Sequence, residues 1–168
     1  MKLLTPDLFV DSIFQLNLDT LKERGIKGLI IDIDNTLVAW DIKFASEDTK
    51  KWLLKLKEQG FDVCLVSNNT EDRVVTFNEE LKLPAIHRAT KPRRGAFKKA
   101  MGLMKSNLKN TAVIGDQIFT DVLGGNRMGL FTILVIPIES KEFWWTTLVR
   151  KVERHVLKRV IPSHRGDI

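Results

Sequence analysis

The sequence predicts an α/β protein: a Rossmann-like, open parallel sheet of about five strands, helices on both faces and no large cap domain. Three observations predict it. Short apolar, β-branched runs alternate with stretches of helical period throughout the chain. Each apolar run stops at a polar cluster, as strands do where they leave a sheet. The intervals between those clusters hold only single helices, short strands or loops, leaving no room for a second domain.

The elements follow in order. Pro6 to Leu16 has Leu8, Phe9, Ile13 and Leu16 near helical spacing and reads as a helix. Leu18 to Arg24 reads as a second short helix stopped by Gly25. Gly28 to Asp32 is the first strand, and Val38 to Ala45 is an aperiodic flap beside it. Ser46 caps a helix with Glu47 and Asp48 in its first turn, turns Trp52, Leu53 and Leu56 inward, and ends at Gly60. Asp62 to Val66 is the second strand, and Glu71 to Leu81 the next helix. Pro84 to Arg88 is a short third strand, Gly95 to Met104 a helix and Thr111 to Gly115 the fourth strand. A helix then runs to about Met128, closed by Gly129. Phe131 to Ile136 is the fifth strand, ended by Pro137. The chain divides into an N-terminal segment (1–27), a core (28–136) and a tail (137–168) within one domain.

Composition sets further bounds. The 168 residues are 43% hydrophobic and 29% charged, ordinary for a folded domain. A single cysteine, Cys64, excludes an internal disulfide and falls in an apolar run that suits core filling. No signal peptide and no membrane-length apolar run is read, so the expected location is cytoplasmic. The net charge is +6. From Lys141 onward seven Lys/Arg face three Asp/Glu, so the tail alone carries +4 of it. A nearly neutral body with a basic tail points to an anionic partner, lipid or nucleic acid.

The chemistry starts at Asp32 and Asp34. In an extended chain these residues point to one side, just past the apolar Leu29-Ile30-Ile31. Two close carboxylates repel unless a cation or donor compensates, which suggests a hard ion such as Mg²⁺. One acid can serve as nucleophile and the other as proton shuttle. Taken alone, the pair also reads as a strand end entering a turn. Three more clusters follow at successive strand ends: Ser67-Asn68, Lys91, and Gly115-Asp116 with Asp121.

This ordered set resembles the haloacid dehalogenase (HAD) phosphatase superfamily over roughly residues 28–136. The resemblance implies that Asp32 attacks phosphorus and that Asp34 protonates the leaving alkoxide, then deprotonates water. It implies Mg²⁺ held by Asp32, Asp116 and the main-chain carbonyl of Asp34, with Asp121 a weaker candidate. Ser67, the amide of Asn68 and Lys91 would bind the phosphoryl oxygens, and Thr36 would tie the loop by hydrogen bonds. Asp34 favours ester hydrolysis, because dehalogenases in this superfamily lack that acid. The missing cap implies an open site, suited to a phosphate carried on something large.

A closer resemblance rests on Gly-Leu-Ile-Ile-Asp-Ile-Asp-Asn-Thr-Leu at 28–37, Ser67-Asn68-Asn69, Lys91-Pro92 and Gly115-Asp116-Gln117-Ile118-Phe119-Thr120-Asp121. With these the chain resembles the YqeG group of HAD subfamily IIIA phosphatases, related to organellar phosphatidylglycerophosphate phosphatases. That implies a phospholipid headgroup as substrate. In the tail, Trp145, Leu148, Val149, Val152, Val156 and Val160 share one helical face, opposite Arg150, Lys151, Arg154 and Lys158. The pattern suits an interfacial membrane helix at the inner membrane face, and equally a helix packed on the sheet. Two rival functions stay open: a soluble phosphatase of sugar phosphates, nucleotides or phosphoproteins, and an RNA- or ribosome-associated binding module using the tail. A pure binding module has no need of Asp34, which weighs against nucleic acid.

Overall fold

The computed structural model describes residues 2–139, and the tail helix read from the sequence lies outside them. The compact unit ends at Ile138. It contains β1 (Leu8–Val10), α1 (Leu18–Glu23), β2 (Gly28–Ile31), α2 (Glu47–Glu58), β3 (Asp62–Val66), α3 (Glu71–Asn78), β4 (Ala85–Ile86), α4 (Arg94–Met104), β5 (Thr111–Gly115), α5 (Leu123–Met128) and β6 (Phe131–Val135). The strands form a 6-stranded sheet in the order β1-β6-β5-β2-β3-β4. Every pairing is parallel.

β2 sits in the interior because it is buried on both faces. Leu29 and Ile31 pack with Trp52, Leu53 and Leu56 of α2 and with Val74 and Phe77 of α3. Ile30 points the other way, onto Phe97, Ala100, Met101 and Met104 of α4. A strand covered on both sides reads as a continuous apolar run, which is what Leu29-Ile30-Ile31 is. Side-chain caps set where the helices begin. Asn17 accepts from the N–H groups of Asp19 and Thr20, Ser46 from Thr49, and Thr70 from Arg73.

The sheet has one strand more than expected. Leu8-Phe9-Val10, read from its spacing as helical, pairs with Ile133-Leu134-Val135 at the sheet edge. Phe9 faces outward while Leu8 and Val10 turn toward the core, an alternation too short to stand out against the apolar residues that follow. Asp7 secures the pairing: its N–H donates to Thr132 O (2.9 Å), and its carboxylate accepts from Thr132 N (2.8 Å). Only a 3-10 turn at Ile13–Gln15 follows. α3 is also shorter than expected. The Asn78 side chain exchanges two hydrogen bonds with Leu83 (2.7 and 3.0 Å), and Lys82 takes a left-handed conformation between them. That turn ends the helix and leaves β4 two residues long.

Candidate active site

All strands run the same way, so the loops that follow them gather at one end of the sheet. Asp32 is the first residue past β2, and its N–H still donates to Ile114 O at 3.0 Å. Its carboxylate is buried and meets Lys91, whose Nζ donates to Asp32 Oδ1 (2.7 Å), Asp121 Oδ1 (2.7 Å) and Val66 O (2.8 Å). An ammonium has three donors, and all three are used. Burial pulls the Lys91 pKa down, but Asp121 and Asp32 more than offset it, so the group stays charged. Burial, then the Asp121 charge, raises Asp32 to about 6 despite Lys91. Asp116 is raised well above the ordinary carboxylate value by burial and by the charges of Asp32 and Asp121.

Asp32, Asp116 and Asp121 form one buried cluster whose carboxylate oxygens lie within 4.8 Å of one another. Thr36 Oγ1 donates to Asp116 Oδ1 at 3.2 Å and so orients it. Asp121 arrives by a π-helical turn over Ile118–Val122. It fits because residue 115 is glycine: a Cβ there would overlap the Asp121 carboxylate. Asp121, the weaker candidate from sequence, thus stands among the three clustered acids.

The Asp34 carboxylate lies apart from that cluster. Oδ1 accepts from Arg73 Nε (3.1 Å) and Nη2 (2.9 Å), and Oδ2 accepts from Asn69 Nδ2 (3.2 Å). Arg73 Nη1 continues to Lys43 O at 3.1 Å, joining the flap to the same guanidinium. Sequence reasoning missed Arg73. The available signal was that it is the only Lys or Arg between Ser67 and Leu81, in the first turn of α3 where cations are disfavoured.

Ser67 is buried at the end of β3, with its Oγ accepting from Asn69 N at 3.0 Å. The Asn68 side chain holds the main chain of Lys91, accepting from Lys91 N (2.7 Å) and donating to Lys91 O (3.2 Å). Lys91 is therefore positioned by Asn68 along its backbone and by two acids at its tip. Cavities of about 940 and 410 Å³ lie elsewhere, and neither is lined by the clustered acids.

A parallel sheet with buried acids and a lysine at its carboxyl end is the architecture of a HAD-type phosphatase. The chain belongs to the family described as mitochondrial PGP phosphatase, whose model matches residues 1–138. It is 47% identical over 167 residues to the probable phosphatase YqeG of Bacillus subtilis, covering 99% of this chain and 96% of that protein. It is 28% identical to phosphatidylglycerophosphate phosphatase 1, chloroplastic/mitochondrial, of Arabidopsis thaliana, covering 92% of this chain but 47% of that protein. Among solved structures, the cobalt-bound deoxy-D-mannose-octulosonate 8-phosphate phosphatase of Haemophilus influenzae shares the fold. Its TM-score is 0.58 at 15% identity, over 82% of this chain and 90% of that one. A HAD subfamily III A hydrolase from Legionella pneumophila matches with TM-score 0.51 and 21% identity, over 70% and 73%. The chain is accordingly a phosphoric monoester hydrolase of the HAD type.

Proposed function

We propose that this phosphatase removes the terminal phosphate of phosphatidylglycerophosphate through an aspartyl-phosphate on Asp32, with Mg²⁺ as cofactor, at the cytoplasmic membrane face. The supporting observation is the buried cluster of Asp32, Asp116 and Asp121 around the tip of Lys91. The substrate follows the relationship to phosphatidylglycerophosphate phosphatases.

The donor set fits a hard divalent ion. All three clustered side chains offer oxygen, and once all three are ionised Lys91 cancels only one of the charges. Asp34 is matched separately by Arg73. A divalent cation would balance the remainder, held by Asp32, Asp116 and Asp121. When bound, it would offset the repulsion between Asp32 and an anionic phosphate and stabilise charge on the phosphoryl oxygens.

The chain's own groups then divide the work. A carboxylate oxygen of Asp32 forms a bond to phosphorus as the ester P–O bond breaks. The departing alkoxide takes a proton from the Asp34 carboxyl, and the carboxylate left behind is the form that Arg73 and Asn69 bind. In the second half, water attacks the phosphorus of the aspartyl-phosphate, Asp34 takes the water's proton, and the bond to Asp32 breaks. Ser67 Oγ and the Asn68 N–H hold the phosphoryl oxygens through both halves, while Lys91 Nζ, its donors committed to Asp32, Asp121 and Val66 O, acts on them as a fixed positive charge.

The test is phosphate release from phosphatidylglycerophosphate in vesicles and from a panel of soluble esters, with Mg²⁺ and with chelator. The lipid is expected to be the preferred substrate, and chelator is expected to stop turnover. Asp32→Asn is expected to abolish hydrolysis while keeping the circular dichroism spectrum. A near-normal rate in that variant would refute the nucleophile assignment. Preference for a soluble ester would refute the substrate.

A further inference from the structure

The Val38–Ala45 flap presents Trp40, Ile42 and Phe44 to solvent at 62%, 50% and 47% exposure. Phe14, after β1, and Phe119, after β5, are also exposed. Each follows the carboxyl end of a strand, so all stand at the end of the sheet that holds Asp32. They belong to the half built by β1, β6, β5 and β2. The loops after β3 and β4 instead expose Asn68, Asn69, Thr70, Arg88 and Thr90. Single exposed apolar residues are ordinary, but aromatics concentrated beside one mouth mark an interaction surface.

The flap is anchored. Val38, Ala39 and Ala45 are buried at its two ends. Ile42 N donates to Ala39 O (3.0 Å), Lys43 O accepts from Arg73 (3.1 Å), and Ile138 N donates to Asn35 O (3.0 Å) at its base. The aromatic tips are therefore held out by a braced loop. Charge identifies the partner. Within the flap the exposed Asp41 and Lys43 offset each other, so net positive charge comes from the sequence that follows Ile138. The chain passes from Ile138 into a sequence with seven Lys/Arg against three Asp/Glu after residue 140. Aromatic and aliphatic tips in a chain that continues from the base of the flap into a basic sequence match an anionic lipid surface, where tips enter the interface and cations meet headgroups.

We propose that the rim over β1, β6, β5 and β2 is a lipid-docking face, with Trp40, Ile42 and Phe44 entering the interfacial layer of an anionic bilayer. The inference rests on the phospholipid reading of the substrate, and it deepens that reading: docking by this end brings Asp32 to the level of the headgroups.

The test uses the full chain and vesicles of phosphatidylglycerol and phosphatidylcholine without substrate. Combined Trp40→Ser, Ile42→Ser and Phe44→Ser is expected to lower vesicle partitioning by at least about tenfold. Hydrolysis of p-nitrophenyl phosphate is expected to stay within about twofold, because these side chains stand outside the catalytic cluster. Lipids brominated in the upper acyl chain are expected to quench an emission component that Trp40→Phe removes. Wild-type partitioning in the triple variant would overturn the proposal, as would a wild-type chain that ignores the vesicles. A dimer that the variant loses, with no vesicle binding by the wild type, would give the face to a second copy and also overturn it. If binding is lost in the variant but wild type releases no phosphate from phosphatidylglycerophosphate, the docking face stands and the substrate reading falls. Undiminished lipid turnover on vesicles by the variant has the reverse meaning.

Discussion

Arg73 holds Asp34 from the first turn of α3, giving both Nε (3.1 Å) and Nη2 (2.9 Å) to the same carboxylate oxygen. The third arm of the guanidinium bonds Lys43 O in the flap, so one side chain links an acid at the mouth to the loop beside it. Both side chains are mostly buried, at 14% and 20% exposure, which limits solvent screening. Arg73→Ala is expected to cost about 1–3 kcal/mol of stability, since it strands a partly buried carboxylate. If Asp34 is the proposed acid, Arg73→Ala is also expected to slow esters with poor leaving groups more than p-nitrophenyl phosphate, because only the former would need its proton. Arg73→Lys is expected to restore part of the stability and less of the rate, since an ammonium cannot reproduce the fork. Leaving-group dependence of kcat for the three proteins checks this.

Lys91 is the cation at the centre of the acid cluster. Lys91→Met is expected to destabilise the chain by about 3–5 kcal/mol in chelator, leaving Asp32 and Asp121 without their partner. A divalent cation held by the folded cluster and not by the unfolded chain would add stability. The gain in Tm on adding MgCl2 is therefore expected to be larger for this variant than for the wild type. Equal gains, measured by thermal denaturation, would contradict placing the ion among these carboxylates.

The raised carboxylates make stability depend on pH. Asp32 rises from 3.8 to about 6 by burial and by the charge of Asp121, against the pull of Lys91. Asp116 is raised by burial and by its two acid neighbours. Without metal, the folded chain holds these protons over a range where the unfolded chain has released them. The Asp32 contribution is therefore greatest below about 4 and is lost as pH rises through about 6, and that of Asp116 has the same sign. In chelator the urea midpoint is expected to be higher at pH 5 than at pH 7.5. Saturating Mg²⁺ is expected to shrink or reverse that difference. A flat profile in chelator would show that the acids are compensated some other way.

Gly115 makes room for Asp121. Gly115→Ala places a methyl group against the Asp121 carboxylate, which belongs to the buried cluster and cannot move freely. The expected cost is about 1–3 kcal/mol, from overpacking. The apparent Mg²⁺ affinity is expected to fall with it. A metal titration of activity, alongside chemical denaturation, separates the two effects.

Much of the architecture was written in local pattern. Alternating buried runs and helical periods predicted the parallel sheet, because burial on two faces leaves its mark residue by residue. The acids at 32, 34, 116 and 121, Ser67 and Lys91 were visible as polar breaks at strand ends. The edge strand Leu8–Val10 was not, since three residues carry too little period to compete with neighbouring apolar spacing. Arg73 was hidden for another reason: nothing in a helix's first turn says which residue 39 positions away it will face.

By itself, then, the sequence determined the fold class, the end of the sheet where the polar residues collect, and the family to which the chain belongs. Tertiary structure alone decided the partners: Lys91 between Asp32 and Asp121, Asn68 on the Lys91 backbone, Thr36 on Asp116 and Arg73 on Asp34. Periodicity records whether a side chain is buried. Pairing depends on strand order and crossover hand, which bring together residues that no local pattern connects.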